Sequence, residues 1–252
     1  MLIKVITLNM WFDGPLLDSA IAFLIKENPD ILFTQEVYYS DDLALEPRLR
    51  SFSQLKKALP QYDSFFSPAF GHVLPQGVVP MGNAIFARYP LEHRETFFYD
   101  VHYHDKFVIQ PENYEFVPRN LQHASVTVNS DRVHLFNTHG IWGKDGGNTP
   151  RRTAMGKTVA EQVALHERVI LGGDFNMDPD TEAIKLIEKH VQPVFPLEHL
   201  KTTFNVKRKT QPGYSTAVSD MLFTTTNIRH IEKTCPQVDI SDHLPLIAVF
   251  EM

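Results

Sequence analysis

Residues 169–179 read VILGGDFNMDP, and the interpretation of the whole chain turns on this stretch. Val169 to Leu171 is short, branched and apolar, the composition of a strand buried on both faces. Two glycines follow, then Asp174 and Asn176, with Pro179 closing the turn. A Gly-rich turn ending in proline accounts for the glycines and the proline. It does not account for the ordered Asp-x-Asn, which sets a carboxylate and an amide at a strand end, where loops mount chemistry on a rigid scaffold.

Outward from there the same arrangement recurs. Asn9 follows IKVITL, Glu36 follows DILFTQ and His139 follows VHLFNT. Asp220 opens the apolar run MLF, and Asp242 and His243 stand before LPLIAVF. Any one of these is ordinary loop polarity, and a scatter of caps and turns is the plain alternative. If the strand ends converge, however, the same residues supply hard oxygen ligands suited to Mg²⁺ and imidazoles suited to proton transfer.

The rest of the chain alternates strand and helix at first, with antiparallel hairpins later. Strands are expected at Met1 to Leu8, Ile31 to Thr34, Ala84 to Ala87 and Val169 to Leu171, and again at Met221 to Thr224, Ile228 to Glu232 and Leu246 to Phe250. Leu121 to Val128 and Val133 to Phe136 flank Asn129-Ser130-Asp131, a hairpin turn. Helical spacing puts Leu17, Ile21, Leu24 and Ile25 on one face of a helix over Pro15 to Glu27. Further helices are expected at Phe52 to Leu59, at Thr181 to Lys189, and from Pro150 to about His166 with Thr149 as its cap. Residues 91–118 are rich in aromatics and histidine and read either as strands or as a long functional loop. No linker, repeat or low-complexity segment divides the chain. The expected architecture is one α/β domain over residues 1–252, sheet packed on sheet with helices outside.

Composition limits what such a domain does. The 252 residues are 43% hydrophobic, which excludes wholesale disorder, and no apolar run is long enough for a transmembrane helix. A single cysteine, Cys235, excludes an internal disulfide. With no basic and then apolar leader, the expected location is cytoplasmic. A net charge of −6 argues against a basic track for duplex DNA. Arg151-Arg152 and Lys207-Arg208-Lys209 are local basic clusters that read as solvated faces. The aromatics of 97–116 offer stacking for a few unpaired bases, a nucleotide-like group or a lipid head, with burial in a second sheet as the alternative. Trp11 and Trp142 flank Asn9 and His139 in sequence. Arg119 is either a phosphate clamp or a strand-edge arginine. His102 and His104 alternate around Tyr103 as exposed strand positions would.

Six local sequences, LNMW, TQEV, GNAIFARYP, FNTHG, LGGDFNMDP and SDHLPL, occur here in an order that resembles the endonuclease/exonuclease/phosphatase superfamily. The resemblance runs from Met1 to Phe250, and GGDFN with SDH is its most specific part. It implies a deoxyribonuclease I-like four-layer α/β/β/α sandwich with two mixed β-sheets. It also implies hydrolysis of a phosphoester with Mg²⁺ (or Mn²⁺) as cofactor, by a phosphodiesterase or nuclease, with a phosphatase or phospholipase-C-like enzyme as the alternative. The partner would be a nucleic acid, a nucleotide or a phospholipid head group.

Carried over residue by residue, the resemblance makes Glu36 the principal metal ligand, with Asn9 its neighbour and Asp242 a variable contact. Asp174 positions or deprotonates the attacking water, and Asn176 holds that water or a phosphoryl oxygen. His243 faces the phosphate, oriented by Asp220, and His139 is the second imidazole. Arg119 and Trp142 are the weaker substrate contacts. Two departures narrow the reading. Residues 67–91 contain no Asp or Glu to support His139, unlike the deoxyribonuclease branch, so His139 is expected to act as a hydrogen-bond donor rather than a general acid. VSDMLF lacks the Cys-Asp-Arg of inositol polyphosphate phosphatases, which disfavours that branch.

Overall fold

The computed structural model describes residues 1–12 and 14–252. The chain runs through β1 (Leu2–Asn9), α1 (Leu17–Glu27), β2 (Ile31–Tyr38), α2 (Ser51–Ala58), β3 (Asp63–Leu74), β4 (Gly77–Ala87), β5 (Glu92–Phe98) and β6 (His104–Phe107). It continues through β7 (Asn120–Val128), β8 (Asp131–His139), α3 (Pro150–Val163), β9 (Val169–Asp174), α4 (Glu182–Ile187), β10 (Gln192–Pro193), β11 (Asp220–Thr224), β12 (Arg229–Thr234) and β13 (Leu246–Glu251). No helix of the described residues is long and apolar enough to cross a membrane.

Two mixed sheets form the middle layers. One has the order β12-β13-β1-β2-β4-β3-β6 and the other β10-β11-β9-β8-β7-β5. Alternation of side chains along each strand gives every sheet an inner and an outer face. Ile3, Val5, Phe33 and Ile85 of the first sheet meet Ala124, Leu135, Ile170 and Leu222 of the second in a common core. On the outer face of the first sheet, Leu24 and Leu55 of α1 and α2 cover Ile6, Leu32 and Phe86. On the outer face of the second, Met155, Val159 and Ile184 of α3 and α4 cover Phe136, Leu171 and Phe223. These are the four layers of the deoxyribonuclease I-like sandwich.

Local chemistry explains most of the elements. Thr149 caps α3 by accepting from the Arg152 N–H at 3.2 Å, with Pro150 in the first turn. Asn129 and Ser130 have φ of 49° and 76°, the paired positive angles of a two-residue turn between β7 and β8. Gly173 has a φ of 145°, and a Cβ there would lie 2.0 Å from the Thr138 carbonyl oxygen, so only glycine fits between β9 and β8.

Two expectations need correction, and one left open is resolved. The buried face of α1 is Leu17, Ala20 and Leu24, while Ile25, one residue on from Leu24 and so about 100° round the helix, is exposed. The strand expected at Ala84 to Ala87 is the end of an eleven-residue strand, paired along its length with the unforeseen β3. Pro68, Gly71, Pro80 and Gly82 mask that hairpin in the sequence, and a bulge between Pro68 and Phe70 breaks its alternation. Residues 91–118 contain two edge strands, β5 on one sheet and β6 on the other, which explains their weak patterning.

Candidate active site

Parallel pairing of β1 with β2 and of β8 with β9 carries their C-terminal ends to one edge of the sandwich. Antiparallel β13 and β11 start where those strands finish. In register, His139 lies beside Asp174, and Asp174 beside Asp220. The residues expected at a common site are thereby drawn together: Asn9, Glu36, His139, Asp174, Asp220, Asp242 and His243 are all buried or nearly so at this end.

The backbone is bent to present them. Trp11, Glu36 and Asn176 have φ of 61°, 59° and 55°, a left-handed conformation that non-glycine residues adopt at a cost. At Glu36 this coincides with a register shift in the β2–β4 ladder between Thr34 and Val37, a bulge that re-aims the side chain. Behind the site, a buried amide network ties the two sheets together. Gln35 Nε2 donates to Asn137 Oδ1 at 2.7 Å, and Asn137 Nδ2 donates to Gln122 Oε1 at 3.1 Å.

Two histidines face Asp174 from opposite sides. His243 Nδ1 is 2.8 Å from Asp220 Oδ2, and its Nε2 is 3.8 Å from Asp174 Oδ2. Burial alone would lower this imidazole, but the charges of Asp220 and Asp174, with the Asp220 hydrogen bond, outweigh it and push His243 up to about 10. His139 Nε2 approaches the same Asp174 oxygen at 3.6 Å and Glu36 Oε1 at 3.7 Å. Its Nδ1 accepts from Arg119 Nη1 at 3.0 Å, since a guanidinium only donates. That bond fixes the tautomer with the proton on Nε2. Burial first, then the charges of Arg119 and His243, hold His139 well below the usual histidine range. His139 is neutral and His243 is cationic, and both Nε2–H groups converge on the space beside Asp174.

The carboxylates are equally constrained. Asp174 accepts from the Asn176 N–H at 2.9 Å and from Asn9 Nδ2 at 3.1 Å. Burial and the Asp220 charge still raise its pKa. Glu36 accepts from the Phe12 N–H at 2.7 Å, and burial and the Asp242 charge raise it as well. Asp174, Asp220 and His243 each offer a ligand atom within 4.8 Å of the others, which makes them a candidate metal group. The proton on His243 removes its lone pair from that set. Glu36 is the better anchor: it is a buried carboxylate beside another negative charge, and its Oε1 contact with His139 is longer than a hydrogen bond. A hard divalent cation fits this chemistry, because it would neutralise carboxylates that burial alone disfavours.

Some expected residues take other partners. Asn176 Nδ2 donates to the Gly140 carbonyl at 3.1 Å, leaving its second amide hydrogen for a ligand. Asp242 is salt-bridged to Lys209 Nζ at 2.9 Å. Trp142 packs edge-on against Tyr114 with centroids 4.9 Å apart. It also lines a groove of about 780 Å³ with Lys144, Asn176, Phe204 and Tyr214. Within 97–116 most rings are structural: Phe107 packs on Phe70, and Tyr99 bonds Thr138 Oγ1 at 2.5 Å. His102 and His104 belong to no metal-ligating group among the described residues.

Sequence reading missed two cations at this site, Arg152 and Lys209, and did not foresee the partner of a third, Arg119. Arg119, expected either to clamp a phosphate or to sit at a strand edge, is buried behind His139. Arg152 is not on a solvated face. Its guanidinium donates to the carbonyls of Ile141, Asp145, Gly147 and Asn176 and so fixes the loop that carries Trp142. Lys209, hidden in a basic triplet, points inward, whereas Arg208 beside it pairs with Asp239 on the surface. A buried Arg152 in the α3 first turn was detectable only through the apolar neighbours that share its helical face, Met155, Val159 and Val163.

The sequence profile of the Endonuclease/Exonuclease/phosphatase family matches residues 6–215, and the chain belongs to that family of phosphoester hydrolases. No curated protein sequence matches. Among solved structures, an endonuclease/exonuclease/phosphatase from Bacteroides vulgatus is similar at a TM-score of 0.75 and 17% identity, over 100% of this chain and 99% of its own. D. rerio TDP2, complexed with a single-strand DNA product, gives 0.72 and 20%, over 100% and 99%. A mannosyl-6-phosphatase from Bacteroides thetaiotaomicron gives 0.73 and 16%, over 99% and 100%. At these identities the likeness establishes the fold.

Proposed function

We propose that this chain is a divalent-metal-dependent phosphodiesterase, acting on nucleic-acid ends or nucleotide-like groups with unpaired bases, and that residues 1–252 act as one catalytic domain. The observation that carries this reading is the convergence of a neutral and a cationic Nε2–H on Asp174. Hydrolysis of a phosphoester needs an oriented water and donors on the phosphoryl oxygens. Asp174 takes a proton from the attacking water, its basicity raised by burial and by Asp220. His243, held by Asp220, places its positive Nε2–H on one phosphoryl oxygen, and His139 places its neutral Nε2–H on another. The free amide hydrogen of Asn176 orients the water or a third oxygen. Glu36 would hold Mg²⁺ or Mn²⁺, with Asn9 beside it and the Lys209-paired Asp242 adjacent. When bound, the cation supplies charge neutralisation at the scissile phosphate.

The rim supports the substrate class. Trp142, Phe204 and Tyr214 supply ring surface to the groove that Asn176 also lines, where Lys144 is set among Asp145, Asp178 and Asp180. Base stacking on such rings is worth roughly 1–3 kcal/mol per base and tolerates any sequence. The deciding experiment is a hydrolysis panel of single-stranded and duplex oligonucleotides, aryl phosphodiesters and monoesters, sugar phosphates and phospholipids, in Mg²⁺. Cleavage of single-stranded ends and diesters ahead of all others is expected. Preference for a monoester or a lipid head group would replace this reading with a phosphatase or a phospholipase-C-like enzyme.

A further inference from the structure

A second histidine cluster lies on the other face of the sheet that carries His139. His134 stands five residues before His139 on β8, at odd spacing and roughly 16 Å away by strand rise, so the two side chains leave opposite faces. His123 of β7 pairs directly with Phe136, and His134 with Ser125, which makes the two histidines diagonal neighbours on the outer face. His123 Nε2 is 3.0 Å from His134 Nδ1. His166, in the segment after α3, stacks on His134 with centroids 3.6 Å apart. One ring nitrogen from each of the three lies within 4.8 Å of the others.

We propose that His123, His134 and His166 bind a transition-metal dication of the Zn²⁺ class, at a site separate from the phosphoester centre. Glu95 makes the cluster more than a stack of rings. Its Oε2 accepts from His123 Nδ1 at 3.0 Å, and because a carboxylate only accepts, the proton sits on Nδ1 and the Nε2 lone pair faces His134. A carboxylate behind a histidine in this way sets the tautomer of metal-binding imidazoles generally. Around a tetrahedral ion with bonds of about 2.0–2.1 Å, neighbouring ligand nitrogens are about 3.3 Å apart. His134 Nδ1 donates to His123 Nε2 at 3.0 Å, so ligation would displace that shared proton from between two nitrogens already near the required separation. His166 is stacked almost parallel on His134, with 13° between the rings, so it completes the set only by swinging its ring out of the stack, which a segment outside helix and strand allows. Burial and the surrounding charges of His166, His123, Arg132 and His93 pull His134 down to about 3, and His123 and His166 are lowered too, so all three rings are neutral and able to ligate. Imidazole nitrogen prefers Zn²⁺, Cu²⁺, Ni²⁺ or Co²⁺ over Mg²⁺, so the two sites would not compete for one ion. Bound there, the ion would cross-link the β7–β8 hairpin to the end of α3.

The test uses the full chain carrying Glu36→Gln and Asp174→Asn, which silence the phosphoester centre, after chelator treatment. Titration with Co²⁺ should give one equivalent with the visible absorption of a nitrogen-ligated ion, displaced by Zn²⁺, and Zn²⁺ should raise the melting temperature. Adding His134→Gln should weaken binding at least 100-fold and abolish the shift. His166→Gln, in a segment outside helix and strand, gives the same answer should His134→Gln unfold. Absence of stoichiometric Co²⁺ in the parent, or binding undiminished in a folded His variant, would overturn the site.

Discussion

His139 and His243 share one buried cup and one neighbour, Asp174, yet one is neutral and the other a cation. The difference lies behind each ring. Asp220 stands behind His243 and makes it a cation; burial, reinforced by the Arg119 guanidinium behind it, keeps His139 neutral. Burial lowers both, and only at His243 do neighbouring carboxylates outweigh it. A carboxylate and a guanidinium thus turn the same side chain into two different tools, one supplying charge and the other a directed hydrogen bond.

Breaking the cationic side should have the largest effect. His243→Ala should lower kcat by about 10³-fold, the loss typical of removing a transition-state donor. Asp220→Asn should cost less, and the double variant should be no worse than His243→Ala, since the two act as one unit. Simple additivity in steady-state kinetics would separate them. Glu36→Gln should reduce turnover by about 10²-fold and raise the Mg²⁺ concentration needed for half-maximal rate. Its melting curve should change little, because it removes a strained and poorly compensated charge. Full activity in excess chelator would contradict this placement of the metal.

Breaking the neutral side should be milder and more informative. Arg119→Met should slow turnover roughly tenfold to a hundredfold, the worth of one charge-assisted hydrogen bond. It should also move the His139 titration up toward the ordinary histidine range, read by NMR. At the rim, Trp142→Ala should raise KM about tenfold for single-stranded oligonucleotides while leaving KM for a small aryl diester unchanged.

The smallest effect concerns stability rather than rate. His134, His123 and His166 have folded pKa values below the unfolded 6.5, so the stability they contribute is complete above pH 6.5. It is lost as pH falls from there toward 3. Denaturant midpoints should decline over that window, and less so in His134→Gln.

What was legible in the sequence was what repeats locally. A strand followed by a polar ligand reads the same whether or not the neighbouring strands are known, so Asn9, Glu36, His139, Asp174, Asp220 and His243 were all foreseen at strand ends. Partners chosen by register were not legible. Arg119 meets His139 only because β7 and β8 pair, and the three outer histidines come together only through that ladder and the end of α3. The β3–β4 hairpin was missed because prolines and glycines on bulged strands imitate loops. Arg152 was misread because charge is taken as exposure unless the packing is known. The absence of an acid in residues 67–91 was legible, and with it the expectation of a less basic His139. The guanidinium behind that ring was not.

The account rests on the opposed protonation of two imidazoles, and ¹⁵N-histidine NMR reads it directly, in chelator-treated and in Mg²⁺-loaded protein. Single substitutions assign the two rings. At neutral pH, His243 in the chelator-treated protein should show two imidazolium-type nitrogens. His139 should show one protonated Nε2 and one unprotonated Nδ1 in both states, with no titration on crossing pH 6.5. A His139 that titrates near 6.5, or one whose proton resides on Nδ1, would contradict the arrangement from which the mechanism is drawn.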